Sequence, residues 1–121
     1  FEYDPIDEDI YKCFIANKTG MCDAIGTWEQ FSKVEEQIAK ICEKNNGKYF
    51  KTQAKAAKFA IIFDYARRTY SNVTSLREKG YKVTTFEAAL EFFGLSYMWN
   101  IKNIKKMENE HKKFMKERYG N

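Results

Sequence analysis

The sequence predicts an all-α protein of five or six helices, orthogonal or bundle-like, in a single domain over residues 1–121. Three observations predict it. Apolar residues recur at three- and four-residue intervals in five separate segments. Thr27–Gln30 and Thr84–Glu87 both have the Thr-x-x-Glu/Gln form of a capping box, the signature of a helix start. One proline and six glycines are too few for the tight turns of an all-β domain. A hydrophobic content of 44% supplies a core and excludes a disordered chain.

The first predicted helix starts at Asp4 as N-cap, with Pro5 in the first turn and Asp7, Glu8 and Asp9 at the positive end of the dipole. Ile6, Ile10, Cys13 and Phe14 share one face, and Asn17–Gly20 ends it. The second helix carries Trp28, Phe31, Val34, Ile38, Ile41 and Cys42 and stops at Asn45-Asn46-Gly47, where glycine supplies the left-handed residue. The third, from Thr52 to about Tyr70, is apolar nearly all round and reads as the central, buried helix. Residues 73–79 continue helical to Gly80, and 81–83 form a connector or one short extended piece. A short helix through Phe86, Ala89, Leu90 and Phe93 stops at Gly94. A last helix from Ser96 turns Ile101, Ile104, Met107, His111, Phe114 and Met115 inward and leaves its lysines outside.

Charge is unevenly placed. Residues 1–50 hold 6 Lys/Arg against 10 Asp/Glu, residues 51–100 hold 8 against 4, and residues 101–121 hold 7 against 3. A basic second half suits phosphate or an acidic protein, or the acidic first half of the same chain. Cys13, Cys22 and Cys42 lack close pairing, which suggests an intracellular, reducing compartment, cytoplasmic, nucleoid or nuclear. The sequence opens on Phe1, so a trimmed start or a removed leader, and with it secretion, stays open. No apolar run approaches the ~18 residues of a membrane span, so no membrane partner is expected.

Catalysis is not expected. The single histidine, His111, sits on an apolar stripe, and no nucleophile setting or phosphate-cradling glycine loop occurs. Cys13, Cys22, Cys42 and His111 lack the close ligand pairs of a zinc site. Neither metal nor other cofactor is expected. A basic and aromatic group, Tyr49, Phe50, Lys51, Lys55 and Lys58 with Arg67, Arg68 and Tyr70, could stack a single strand, but on a buried helix its aromatics read as core. Asn17 and Asn72 each open a glycosylation-type triplet of the kind that arises by chance.

The remaining candidate is Thr84–Lys106: helix, Gly94, then a basic helix opened by Ser96. It resembles in part the helix-turn-helix motif, with its packing residues one step out of the usual spacing. The resemblance implies DNA binding, with Ser96 and Tyr97 on phosphate and Asn100, Lys102, Asn103 and Lys106 at bases or phosphate. The alternative is a helical protein-interaction module, an inhibitor or adaptor docking through Tyr97, Met98 and Trp99, or a structural subunit of an assembly.

Overall fold

A computed structural model describes residues 1–18 and 27–99 (the side chain of Thr27 excepted) and, singly, Asn109, Lys113, Lys116 and Glu117. It corrects the all-α expectation. The described residues form one parallel sheet of four short strands: β1 (Lys12–Ala16), β2 (Lys48–Phe50), β3 (Phe59–Ile62) and β4 (Lys82–Thr85), in the spatial order β2-β1-β3-β4. Helices α1 (Thr27–Lys44), α2 (Tyr70–Glu78) and α3 (Phe86–Phe93) cover it.

The correction starts at β3. A short apolar run fits a buried helix segment and a strand buried on both faces equally well. All four residues of β3 are buried. Phe59 and Ile61 pack with α1 and α3, whereas Ala60 and Ile62 pack with α2. That two-residue alternation is a strand's. β1 repeats it, with Cys13 and Ile15 on the first face and Phe14 on the second. The predicted first helix is therefore a 3-10 turn, Glu8–Tyr11, capped by Asp7 and running into β1. The predicted central helix is a link, β3 and a 3-10 turn at Tyr65–Arg67.

α1 and α3 stand as expected, and α2 contains most of the stretch 73–79 expected to be helical but starts at Tyr70, where the central helix was expected to end. α1 buries Phe31, Val34, Ile38 and Cys42. Its left-handed terminal residue is Asn46 (φ 61°), not Gly47. Gly47 donates its N–H to Cys42 O at 2.8 Å, closing the turn. Glycine is needed at 47 for close approach: a Cβ there would lie 2.0 Å from Tyr11 O. α2 is capped by Thr69, and α3 by Thr85 rather than Thr84.

The topology explains the layers. From the middle of the sheet, β1-α1-β2 crosses one way and β3-α2-β4 the other. Two crossovers of the same hand in opposite directions place their helices on opposite faces. The β2–β3 link, residues 51–58, passes over β1 without a helix. It can be short because β2 ends opposite Phe14 and β3 begins opposite Cys13. The link therefore crosses two strand spacings, about 10 Å, with little travel back along the sheet.

The N-terminal residues cover the free edge of β4. Asp4 donates its N–H to Val83 O at 3.0 Å and accepts Val83 N–H on Oδ2 at 2.8 Å. Arg77 pairs with Asp4 at 3.0 Å, and Lys82 with Asp7 at 2.6 Å and Asp9 at 3.0 Å. An edge occupied in this way cannot template another strand.

Ile61→Ala should cost about 2–5 kcal/mol in a denaturant titration, as for other buried aliphatic truncations. A second expectation concerns pH. The hydrogen bond from Lys82, then that from Asp9 N–H, holds the Asp7 carboxyl below its ordinary value, and the same contact raises Lys82. Asp7 therefore contributes stability above its unfolded pKa of about 3.9, lost as pH falls through the lower folded value. Lys82 contributes below about pH 10.4, and this is lost as pH rises through its raised folded value. Urea midpoints of the wild type and Asp7→Asn should differ at neutral pH and converge at both extremes.

Candidate functional site

In an open parallel sheet, ligands bind outside the carboxyl ends of the strands, where two neighbouring strands send their connections to opposite faces. Here that pair is β1 and β3. β2 ends opposite Phe14, while β1 runs on to Ala16 against β3 alone. The last residues of β1 are thus uncovered on the β2 side. A groove of about 310 Å³ opens there. Phe14, Ala16 and Leu76 supply its apolar part, Asn72 and Ser75 line it from α2, and Lys79 lines it from the C-cap of that helix. Residues 72, 75, 76 and 79 share one stripe at helical spacing. Lys51, Thr52 and Gln53 of the link line it too, with Asn17 and Lys18 beyond the end of β1.

Asn17 holds φ at 63°, a left-handed conformation that asparagine tolerates better than most residues. It is fixed from α2: Asn72 Nδ2 donates to Asn17 Oδ1 at 3.1 Å and to Arg67 O at 2.8 Å. The Asn72 amide of the glycosylation-type triplet is therefore engaged inside the fold. The groove runs the length of α2, from Asn72 in its first turn to Lys79 at its C-cap.

Lys18 donates to Glu35 Oε2 and to Lys51 O, both at 2.9 Å. Glu35 also accepts the Tyr49 hydroxyl. Burial, then the Glu35 carboxylate, raises the Tyr49 phenol, so it stays a donor. Lys18 is thus matched by a carboxylate and clamps the start of the link. Lys51 and Lys79 have no ion pair among the described residues. The groove lining holds three lysines and no Asp or Glu. Two other surface hollows are balanced: one has Glu29 against Lys33, the other Glu8 and Asp9 against Lys12 and Lys58.

A second polar cluster closes the β3 end. The Arg68 guanidinium donates to Ile62 O and Phe63 O at 3.2 and 3.1 Å and lies 2.7 Å from Glu87 Oε2. It stacks on the Tyr65 ring at 4.1 Å, and Tyr65 donates its hydroxyl to Glu87 Oε1 at 3.1 Å. Its bonds all run within the fold, tying β3 to the first turn of α3.

Of the residues suggested for DNA, Ser96 and Tyr97 are exposed, Tyr97 at 80%. Asn100, Lys102, Asn103 and Lys106 lie outside the described residues. Gly94 does end α3, at φ 75°, but Ser96–Met98 form a 3-10 turn. Among the protein-docking candidates, Trp99 is in the core, 5.3 Å from the Phe86 ring and 5.8 Å from Phe63. Met98 is half-buried and, with Tyr97, lines the hollow beside Glu29 and Lys33. Cys13 and Cys42 are buried, and Cys22 and His111 lie outside the described residues. Among the described residues no cluster of His, Cys, Asp or Glu is placed to hold a metal, and no helix is long and apolar enough to cross a membrane. The basic–aromatic group divides: Tyr49 joins the core, Lys51 lines the groove, Lys58 pairs with Asp9, and Tyr70 is exposed.

In the sequence Asn17 and Asn72 were marked only by a glycosylation-type triplet, and Ser75 and Lys79 had no mark as a site. They converge only once 59–62 is read as a parallel strand. Comparison with known proteins finds no matching family, no similar curated protein and no similar solved structure.

Glu87→Ala should leave the largely buried Arg68 guanidinium without its carboxylate. We expect a loss of about 1–3 kcal/mol, the cost of removing one partner from a buried polar pair, read as a lower urea midpoint.

Proposed function

We propose that this protein is a non-enzymatic binding module whose groove between α2 and the β2–β3 link takes a phosphate group carried on a larger partner. The observation that carries this reading is the lining of the groove beside the last residues of β1: Lys51 and Lys79, neither with an ion pair among the described residues, and no carboxylate. Asn17 Nδ2, Thr52 and Ser75 supply neutral hydrogen-bond donors. The groove's volume suits a phosphorylated side chain or a nucleotide end rather than a duplex. Its lining offers neither carboxylate nor imidazole for acid–base work.

A second reading keeps duplex DNA as partner of the last segment. It is favoured by Lys113 and Lys116, which are helical and exposed.

Titration calorimetry separates the two. Inorganic phosphate, a phosphoserine peptide, its unphosphorylated twin, a 5′-phosphorylated oligonucleotide and a blunt unphosphorylated duplex are compared at low and high salt. Phosphorylated ligands should bind, and Lys51→Ala/Lys79→Ala should weaken them about tenfold, about 1.4 kcal/mol. Equal binding of the phosphorylated and plain peptides would sink the groove reading. Duplex binding that falls steeply with salt, survives Lys51→Ala/Lys79→Ala and is lost in Lys113→Ala/Lys116→Ala would make DNA the partner.

A further inference from the structure

The groove leaves unused one pair of nucleophilic side chains. Cys13 of β1 and Cys42 of α1 face each other across the sheet–helix interface with their sulfurs 3.9 Å apart. Both are free and fully buried. Ile10, Val34, Ile38, Tyr49 and Phe59 belong to the same core cluster. Cys42 also lies in the last turn of α1, and its sulfur is 4.0 Å from Ile10 O. Helix ends open more readily than helix centres, and such an opening is the route by which an oxidant would reach Cys42.

We propose that Cys13 and Cys42 form a reversible disulfide that staples β1 to α1 when the protein meets a hydroperoxide. A disulfide needs a sulfur separation of about 2.05 Å, so the two sulfurs must close by a little under 2 Å through side-chain rotation and a small approach of the helix end. The chemistry balances in two steps. The Cys42 thiolate attacks the terminal peroxide oxygen, the O–O bond breaks, and an alcohol leaves with the proton given up by the thiol. The Cys13 sulfur then attacks the resulting sulfenic sulfur, the S–O bond breaks, and water leaves with the Cys13 proton. Two thiols lose two electrons and one hydroperoxide gains them. Either sulfur can donate to the other, so the two cysteines can exchange these roles and give the same product. The resulting link closes the segment between β1 and the end of α1, removing freedom from the unfolded chain.

The test uses the whole chain. Native protein is treated with hydrogen peroxide, then denatured in the presence of N-ethylmaleimide, digested without reductant and mapped by mass spectrometry. The expected product is a Cys13–Cys42 linked peptide pair, two hydrogens lighter than the thiol pair and restored by dithiothreitol. The thermal midpoint of the oxidised protein should rise by about 5 °C or more. Both cysteines recovered as maleimide adducts, either one over-oxidised, or either one linked to Cys22, would overturn the proposal. So would a Cys13–Cys42 link that lowers the midpoint. Cys42→Ser should abolish the linked pair, and the wild-type map stands alone if that variant does not fold. None of these outcomes depends on phosphate binding.

Discussion

Everything in this structure follows from β3 being buried on both faces. Phe59, Ala60, Ile61 and Ile62 have no side exposed to water. A strand in that position needs a hydrophobic layer above and below, which parallel strands obtain from their crossover helices. α1 and α3 supply one layer and α2 the other. The aromatic centre of the first layer is the set of rings of Phe31, Phe63, Phe86 and Trp99, with neighbouring centroids 4.9–6.4 Å apart. The second layer is smaller, built on Phe14, Ile62, Val73, Leu76 and Val83. One helix on that face leaves the β2 side of the sheet only partly covered.

That incomplete cover creates the groove. β2 is three residues long, so β1 outruns it. The short β2 also lets the link to β3 cross β1 without a helix. The two features together give a hollow bounded by α2 and by the link. Lys18 fixes the link through Lys51 O while its charge is met by Glu35. The charge left without an ion pair among the described groove residues is therefore that of Lys51, on the link, and Lys79, at the C-cap of α2.

The sequence carried the helices better than the sheet. α1, α2 and α3 announce themselves through residues such as Phe31, Val34 and Ile38, through Gly80 and Gly94, and through threonines beside their starts. The strands are three to five residues long, too short for a period to be established. In β1, Cys13 and Phe14 sit three and four residues beyond Ile10, a spacing that also fits a helix face. Ile10 in fact belongs to the preceding turn, with Cys13 and Phe14 on opposite faces of the sheet. In β3, burial on both faces removes the alternation that marks a half-exposed strand. The site was hidden for the same reason. Lys51 stood out as part of a basic cluster, but Asn17, Asn72 and Lys79 are distant in sequence and meet only through the parallel pairing of β1 with β3.

The contrast between the structural and groove polar groups supports a division of labour. Arg68 is engaged from within: two backbone carbonyls, a carboxylate and an aromatic face meet its guanidinium, whose buried Nε has no hydrogen bond among the described residues, and it is largely shielded from water. Such a group stabilises one arrangement of β3 against α3 and has little left to offer a ligand. Lys51 and Lys79 are the opposite case, exposed cations with no ion pair among the described residues. A cation that stabilises the fold is expected to be close to a carboxylate, as Arg77 is to Asp4 and Lys82 to Asp7. Cations gathered around an apolar floor without one gain little for folding, since exposed like charges repel. Under the proposed function, an anion entering between them would offset that repulsion, and one covalently attached to a partner would bring that partner's surface against the floor formed by Phe14, Ala16 and Leu76.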